Sequence, residues 1–244
     1  MNIVELISSK VKGINLINTN PAVCISGGID SSIVLHHVIH DLMDGDASKV
    51  YTFIATFGND QDEKDKAKRV ADYYGTVHKE ISVSRSDIIL MLTIALKRYP
   101  FPRFNIWTWN LVREIKKFNL SHLFIGEGGD ELFGYPDRSF LEGWAGQLVW
   151  VSPAWEGACD YFDIKLHRPF MEIQDEWSPV IEYYVPPDKQ KMRDGYKNIL
   201  PDFVIEQAST PPSHGFYKMM GMSKEELQVM ATEIWLEVHR GIDK

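Results

Sequence analysis

Long apolar runs are missing from this chain, and so is a cysteine framework. Its 244 residues include two cysteines, Cys24 and Cys159, with no metal-ligand spacing and no disulfide pattern. Cys24 lies inside the apolar run "AVCI" and reads as a buried structural thiol. The N-terminal "MNIVELISSKVKGI" mixes acid and lysine among its apolar residues, so it reads as neither a signal peptide nor a membrane span. A soluble, cytoplasmic protein without membrane partners is the expectation. An excess of basic residues is lacking too. The formal net charge is −8, which disfavours a general nucleic-acid surface. Repeats and low-complexity tracts are absent. So are the phosphate loop G-x-x-x-x-G-K-[ST] and the serine elbow G-x-S-x-G.

What is present is alternation. "AVCIS" (22–26), "VYTFIATF" (50–57), "TVHKEISV" (76–83) and "HLFIG" (122–126) read as strands. Between them, 31–43, 62–74, 87–97 and 107–118 read as helices, with "YPFPRF" (99–104) breaking the pattern. This order predicts an α/β fold, a parallel sheet with helices on both faces. Residues 1–135 form its nucleotide-binding core in this reading. Residues 136–244 form a mainly helical layer of the same domain, with 139–183 helical and 183–197 a Pro-bounded basic loop. Ser223 and Glu226 make a capping box for a last helix ending near Arg240.

Two glycine-rich turns sit where strands end, which is where ligands bind in such sheets. The first, "SGGIDSS" (26–32), joins a strand to a helix. Glycines let backbone N–H groups approach an anion, and the helix N-terminus adds its dipole. Ser26, Ser31 and Ser32 add neutral donors. Asp30 is the odd member, because a carboxylate beside phosphate repels it unless a divalent cation sits between them. An ordinary helix cap is the alternative reading of the same residues. The second turn, "GEGGDELFGYPD" (126–137), fails the dinucleotide fingerprint, since Glu131 stands where the third glycine belongs. Asp130 is a partner carboxylate for the same cation, and Glu127, between glycines, is a candidate general base.

Together, "SGGIDSS" and "GEGGDELFGY" resemble the synthetase domain of the asparagine synthetase B family, among the N-type ATP pyrophosphatases that include beta-lactam synthetase. "VYTFIATF", "GTVHKEI", "RPFME" (168–172) and "VPPDKQKMRDGYKNILPDFV" (185–204) extend the likeness over most of residues 20–216. The resemblance implies an adenine nucleotide alpha hydrolase-like fold and an AMP-forming amide ligase. ATP would adenylate a small carboxylic acid, aspartate or an analogue, and ammonia would displace AMP. By the same resemblance Ser26, Gly27, Gly28, Ser31 and Ser32 hold pyrophosphate, and Asp30 and Asp130 hold Mg2+. Backbone near Cys24, Ile25, Ala55 and Gly126 meets the adenosine, and Glu127 serves the ammonia step.

Two departures from the family pattern stand out. Family members begin with a glutaminase domain carrying a nucleophilic N-terminal cysteine, whereas only residues 3–25 separate Met1-Asn2 from the first turn. Ammonia is therefore expected to be free or supplied by a separate glutaminase subunit. The family also places a lysine in Arg-Pro-Lys-x-Gly-Phe; here the stretch is "PPSHGF" (211–216), with Ser213 at that position. Losing such a cation typically costs about 10²–10³-fold in rate. Lys197 and Lys218, with Lys191 and Arg193, are the candidates to replace it. A nucleotide-binding regulatory subunit and a nucleoside- or tRNA-modifying pyrophosphatase are the alternatives to the ligase. His36 and His40, four apart, read as packing residues rather than metal ligands. Trp107, Trp109, Trp144, Trp150 and Trp155 read as core more readily than as a pocket lining.

Overall fold

The computed structural model describes residues 2–58, 61–99, 106–133, 153–173, 189–207 and 214–240. Its centre is a five-stranded sheet of β1 (Pro21–Cys24), β2 (Tyr51–Thr56), β3 (Val77–Ser82), β4 (His122–Phe124) and β5 (Lys165–His167). The order is β3-β2-β1-β4-β5, and every pairing is parallel. Ala22 of β1 pairs with Tyr51 on one side and Leu123 on the other. The chain runs outward from β1 to β3, then returns across β1 to β4. The order therefore reverses between β1 and β4, and a crevice opens there at the strands' carboxyl ends.

Side chains alternate across the strands and divide the core in two. Val23, Ile54 and Phe124 join one apolar cluster. It is covered by α1 (Ile3–Lys12), α2 (Ile29–His37) and α3 (Gln61–Tyr74). Ala22, Phe53 and Leu123 join the other. There α4 (Arg85–Leu96) and α5 (Trp107–Lys116) pack beneath the sheet. The second half adds α6 (Gly129–Phe133), α7 (Pro153–Tyr161), α8 (Pro169–Glu172), α9 (Gln190–Tyr196), α10 (Asp202–Ile205), α11 (His214–Met220) and α12 (Lys224–His239).

Capping boxes start three helices: Asn2 with Glu5, Ser84 with Asp87, and Ser223 with Glu226. Each satisfies two backbone donors that a helix end leaves open. The helix α2 differs, because Gly28 precedes it with no side-chain cap. No helix among the described residues is long and apolar enough to cross a membrane.

Three expectations change. β5 lies within a stretch read as helical; three residues on a sheet edge are too few to show a strand period. Residues 190–196 of the expected basic loop are α9, whose Met192, Arg193 and Tyr196 face inward. The helix expected over 31–43 is α2, which turns into a π segment at Val38–Leu42. His36 and His40 pack with tilted rings, centroids 4.3 Å apart. Burial and the neighbouring His40 and His37 push His36 down to about 4, and no three metal-binding side chains gather among the described residues. Trp109 is fully buried and donates its indole N–H to Tyr99 Oη at 2.6 Å. Trp144 and Trp150 lie outside the described residues.

β4 and β5 carry a buried histidine pair. His122 Nδ1 and His167 Nε2 are 2.9 Å apart, and Phe124 stacks on His167. Burial lowers the pKa of both, and the neighbouring His122 helps to push His167 down to about 4. A depressed imidazole pKa means the unfolded chain binds the proton more readily. Its stabilisation is thus complete above about pH 6.5 and is lost as pH falls toward 4. Urea melts at pH 7.5 and 4.5 should differ by about 2 kcal/mol more in the wild type than in a His122→Gln/His167→Gln variant. Equal differences would show that the pair does not set the acid limb.

Candidate active site

The two glycine-rich turns leave from adjacent strands, β1 and β4, and meet over the crevice. Gly27 has φ +80°, and a Cβ there would lie 2.6 Å from the Lys66 backbone of α3. A side chain would therefore force the turn off α3. A Cβ on Gly129 would lie 2.5 Å from Asp30 Cγ, and one on Gly126 2.8 Å from the Ser31 backbone nitrogen. Glycine in the second turn is thus what lets the first turn come close.

Within the first turn the hydroxyls brace the loop. Ser32 Oγ donates to the Gly28 carbonyl at 2.8 Å, and the Ser26 backbone N–H donates to Ser31 Oγ at 3.2 Å. Ser26, Gly28, Asp30 and Ser31 line a cavity of about 290 Å³. Cys24, Ile25 and Ala55 form part of its floor, and Gly126, Glu127 and Asp130 border it from the second turn. Gly27 and Ser32 support the loop without lining the cavity. Burial, with Cys159 nearby, raises the Cys24 thiol well above its ordinary value, so it stays protonated and a poor nucleophile.

The residue that sequence reasoning missed is Lys189. It precedes α9 and is 3% exposed. Its ammonium donates to Asp30 Oδ2 and lies 2.6 Å from Asp130 Oδ1. Burial works against its charge, yet the two aspartates outweigh burial and hold its pKa above the ordinary lysine value. The backbone of Lys189 is left-handed, at φ +58° and ψ +34°. That conformation costs roughly 1–2 kcal/mol for a non-glycine residue, which the two ion pairs offset. The lysines expected to act, Lys197 and Lys218, are exposed and outside the cavity lining, as is Lys191. Arg193 is buried but donates to the carbonyls of Ile205 and Gln207. Ser213 lies outside the described residues. A helical reading of 189–196 would have found Lys189, because it shares the i, i+3, i+4, i+7 face of Met192, Arg193 and Tyr196.

Arg168, in "RPFME", reaches the site from the end of β5. Its Nη1 lies 3.4 Å from Glu127 Oε2, and its Nη2 donates to Glu156 Oε1 of α7 at 2.5 Å. Trp107 and Trp155 also line the cavity. The donor set suits a hard divalent cation: two carboxylates from separate turns converge on one point, now held by an ammonium. Phosphate oxygens and water would complete such a coordination shell. Lys189→Met should leave the carboxylates facing each other. We expect it to lower unfolding stability at pH 7.5 by about 3 kcal/mol, with millimolar Mg2+ restoring part of the loss. Unchanged stability would mean that the bridge contributes nothing.

A model of the asparagine synthase family matches residues 18–229. Asparagine synthetase [glutamine-hydrolyzing] 2 of Oryza sativa subsp. japonica is 32% identical over 124 residues, covering 46% of this chain and 20% of the relative. Asparagine synthetase [glutamine-hydrolyzing] 1 of Lotus japonicus is also 32% identical over 124 residues, covering 46% and 21%. The match thus spans about a fifth of the length of these curated relatives. Among solved structures, the NH3-dependent NAD synthetase of Campylobacter jejuni superposes with a TM-score of 0.46 at 14% identity, covering 98% of this chain and 92% of that one. The U34-tRNA thiolase NcsA of Methanococcus maripaludis gives 0.43 at 15%, covering 89% and 76%. With its two turns closing on one crevice and the family match covering most of its length, the chain belongs to the asparagine synthase family.

Proposed function

We propose that this chain is an ATP-dependent carbon–nitrogen ligase that forms an amide from a small carboxylic acid and ammonia, releasing AMP and pyrophosphate. The observation that carries this reading is the convergence of Asp30 and Asp130 on a single cation beside the first turn. Membership in the asparagine synthase family supports the same chemistry.

In this reading the turn from Ser26 to Ser32 holds the β- and γ-phosphates, with its N–H groups and the Ser26 and Ser31 hydroxyls replacing water while Ser32 braces the loop. Asp30 and Asp130 hold Mg2+, which when bound spreads the negative charge of the phosphates. Lys189, drawn off the carboxylates, supplies the cation that the family places at the position of Ser213. Cys24, Ile25, Ala55 and Gly126 meet the adenosine. A carboxylate oxygen of the acid attacks the α-phosphorus, and the bond to pyrophosphate breaks. Ammonia then attacks the acyl carbon, the bond to AMP breaks, and Glu127 takes the proton released from nitrogen. Arg168 holds Glu127 toward the cavity. Ammonia arrives free or from a separate glutaminase subunit, and the cytoplasm supplies the ATP.

The assay is incubation with Mg-ATP and ammonium against a panel of acids that includes aspartate and glutamate. Equal amounts of AMP and pyrophosphate with one acid are expected. Asp130→Asn should reduce both by about 100-fold or more, the scale of losing one positioned electrostatic group. Glu127→Gln should keep ATP–pyrophosphate exchange while losing amide. Full turnover in Asp130→Asn would overturn the shared-cation reading, and no pyrophosphate with any acid would overturn the ligase.

A further inference from the structure

One wall of the cavity is aromatic. Trp107, at the start of α5, and Trp155, on α7, meet edge to face with ring centroids 5.6 Å apart. Phe57, just beyond β2, lies 5.8 Å from Trp107 in the same geometry. These two indoles are only partly buried, unlike Trp109 in the core. Both border the cavity, so apolar ring surface faces the space a ligand would fill.

The position of Trp155 identifies which part of a ligand it would touch. Its neighbour Glu156 pairs with Arg168, and Arg168 reaches Glu127. Trp155 therefore marks the end of the wall next to the group proposed to serve the acyl carbon, while Phe57, beyond β2, marks its other end. The adenosine is assigned to the β1–β2 side, at Cys24 and Ala55. Charge points the same way. The charged side chains among the described lining residues are Asp30, Glu63, Glu127, Asp130 and Lys189. Lys189 is shared by two carboxylates here and is taken by the phosphates on the ligase reading, and Arg168 is shared by two further carboxylates. A substrate side chain bearing a second carboxylate would be repelled by this lining, whereas a flat apolar one would be stabilised by burial against the rings.

We propose that the acid activated here carries an aromatic side chain, packed against Trp107 and Trp155, in place of the carboxylate-bearing side chain of aspartate. This rests on the ligase reading above. The test is a binding titration of the chain with Mg2+ and α,β-methylene-ATP, followed by 3-phenylpropanoate or L-aspartate, read by calorimetry and tryptophan fluorescence. 3-Phenylpropanoate should bind at least tenfold more tightly than aspartate and change indole emission. Trp155→Leu should weaken 3-phenylpropanoate at least tenfold, and Trp155→Phe should retain most of the affinity. Aspartate binding as tightly as 3-phenylpropanoate would overturn the proposal without any variant, as would failure of both acids to bind. Trp155→Leu weakening the ATP analogue instead would assign the indoles to adenine and overturn it too. Failure of the ligase reading shows separately, as absence of binding by the ATP analogue to the wild type.

Discussion

A single buried ammonium ties the site together. Lys189 joins the turn after β1, the turn after β4, and α9 from much later in the chain. Burying a charge is unfavourable, and burial alone would lower a lysine's pKa. Here the two aspartates win, so the lysine stays charged. Removing the lysine would leave two facing carboxylates uncompensated in a partly buried crevice, which is far more costly than losing an exposed pair. The geometry of the crevice is therefore set by electrostatics. Packing supplies the frame: Met192 and Tyr196 of α9 are buried in the same apolar cluster as α1 and α2.

The close approach of the turns is a steric requirement for that bridge. Asp30 reaches Lys189 beside Gly129, where a side chain would collide with the carboxylate itself. This is why the glycines and aspartates were legible in the sequence: each is a residue type that the local backbone or chemistry demands. The parallel sheet was legible for a related reason. Strand and helix periods alternate cleanly from Ala22 to Phe124, and Val23, Ile54 and Phe124 recur on one face. β5 carried no such signal, because Lys165, Leu166 and His167 are too few to show a period. Lys189 was hidden for a different reason. Two prolines and several charges upstream read as a loop, and that reading concealed the inward helical face on which the lysine begins.

The crevice has two chemically different walls. On one side stand the turns with Asp30, Asp130 and Lys189; on the other stand Trp107, Trp155 and Phe57. Between them, Glu127 is joined through Arg168 to Glu156 on the helix that also carries Trp155. The charged and the aromatic walls are thus connected by one guanidinium. On the proposed reading, lining up a carbonyl carbon between a phosphate site and a base requires both walls to be fixed relative to each other, and this contact spans them.

Charge balance also constrains the order in which ligands can enter. A divalent cation alone must displace Lys189 from both aspartates, leaving an ammonium without a counter-charge in a buried place. A triphosphate alone meets two carboxylates beside the turn that would cradle it. If both entered together, the aspartates would hold the cation and the lysine would meet the phosphates, so each displaced group would gain a partner. On the proposed reading, metal and nucleotide must therefore strengthen each other's binding by the same factor. The lysine makes that coupling stronger than two aspartates alone would, because it competes with the metal when the phosphates are absent and holds the phosphates once the metal has arrived.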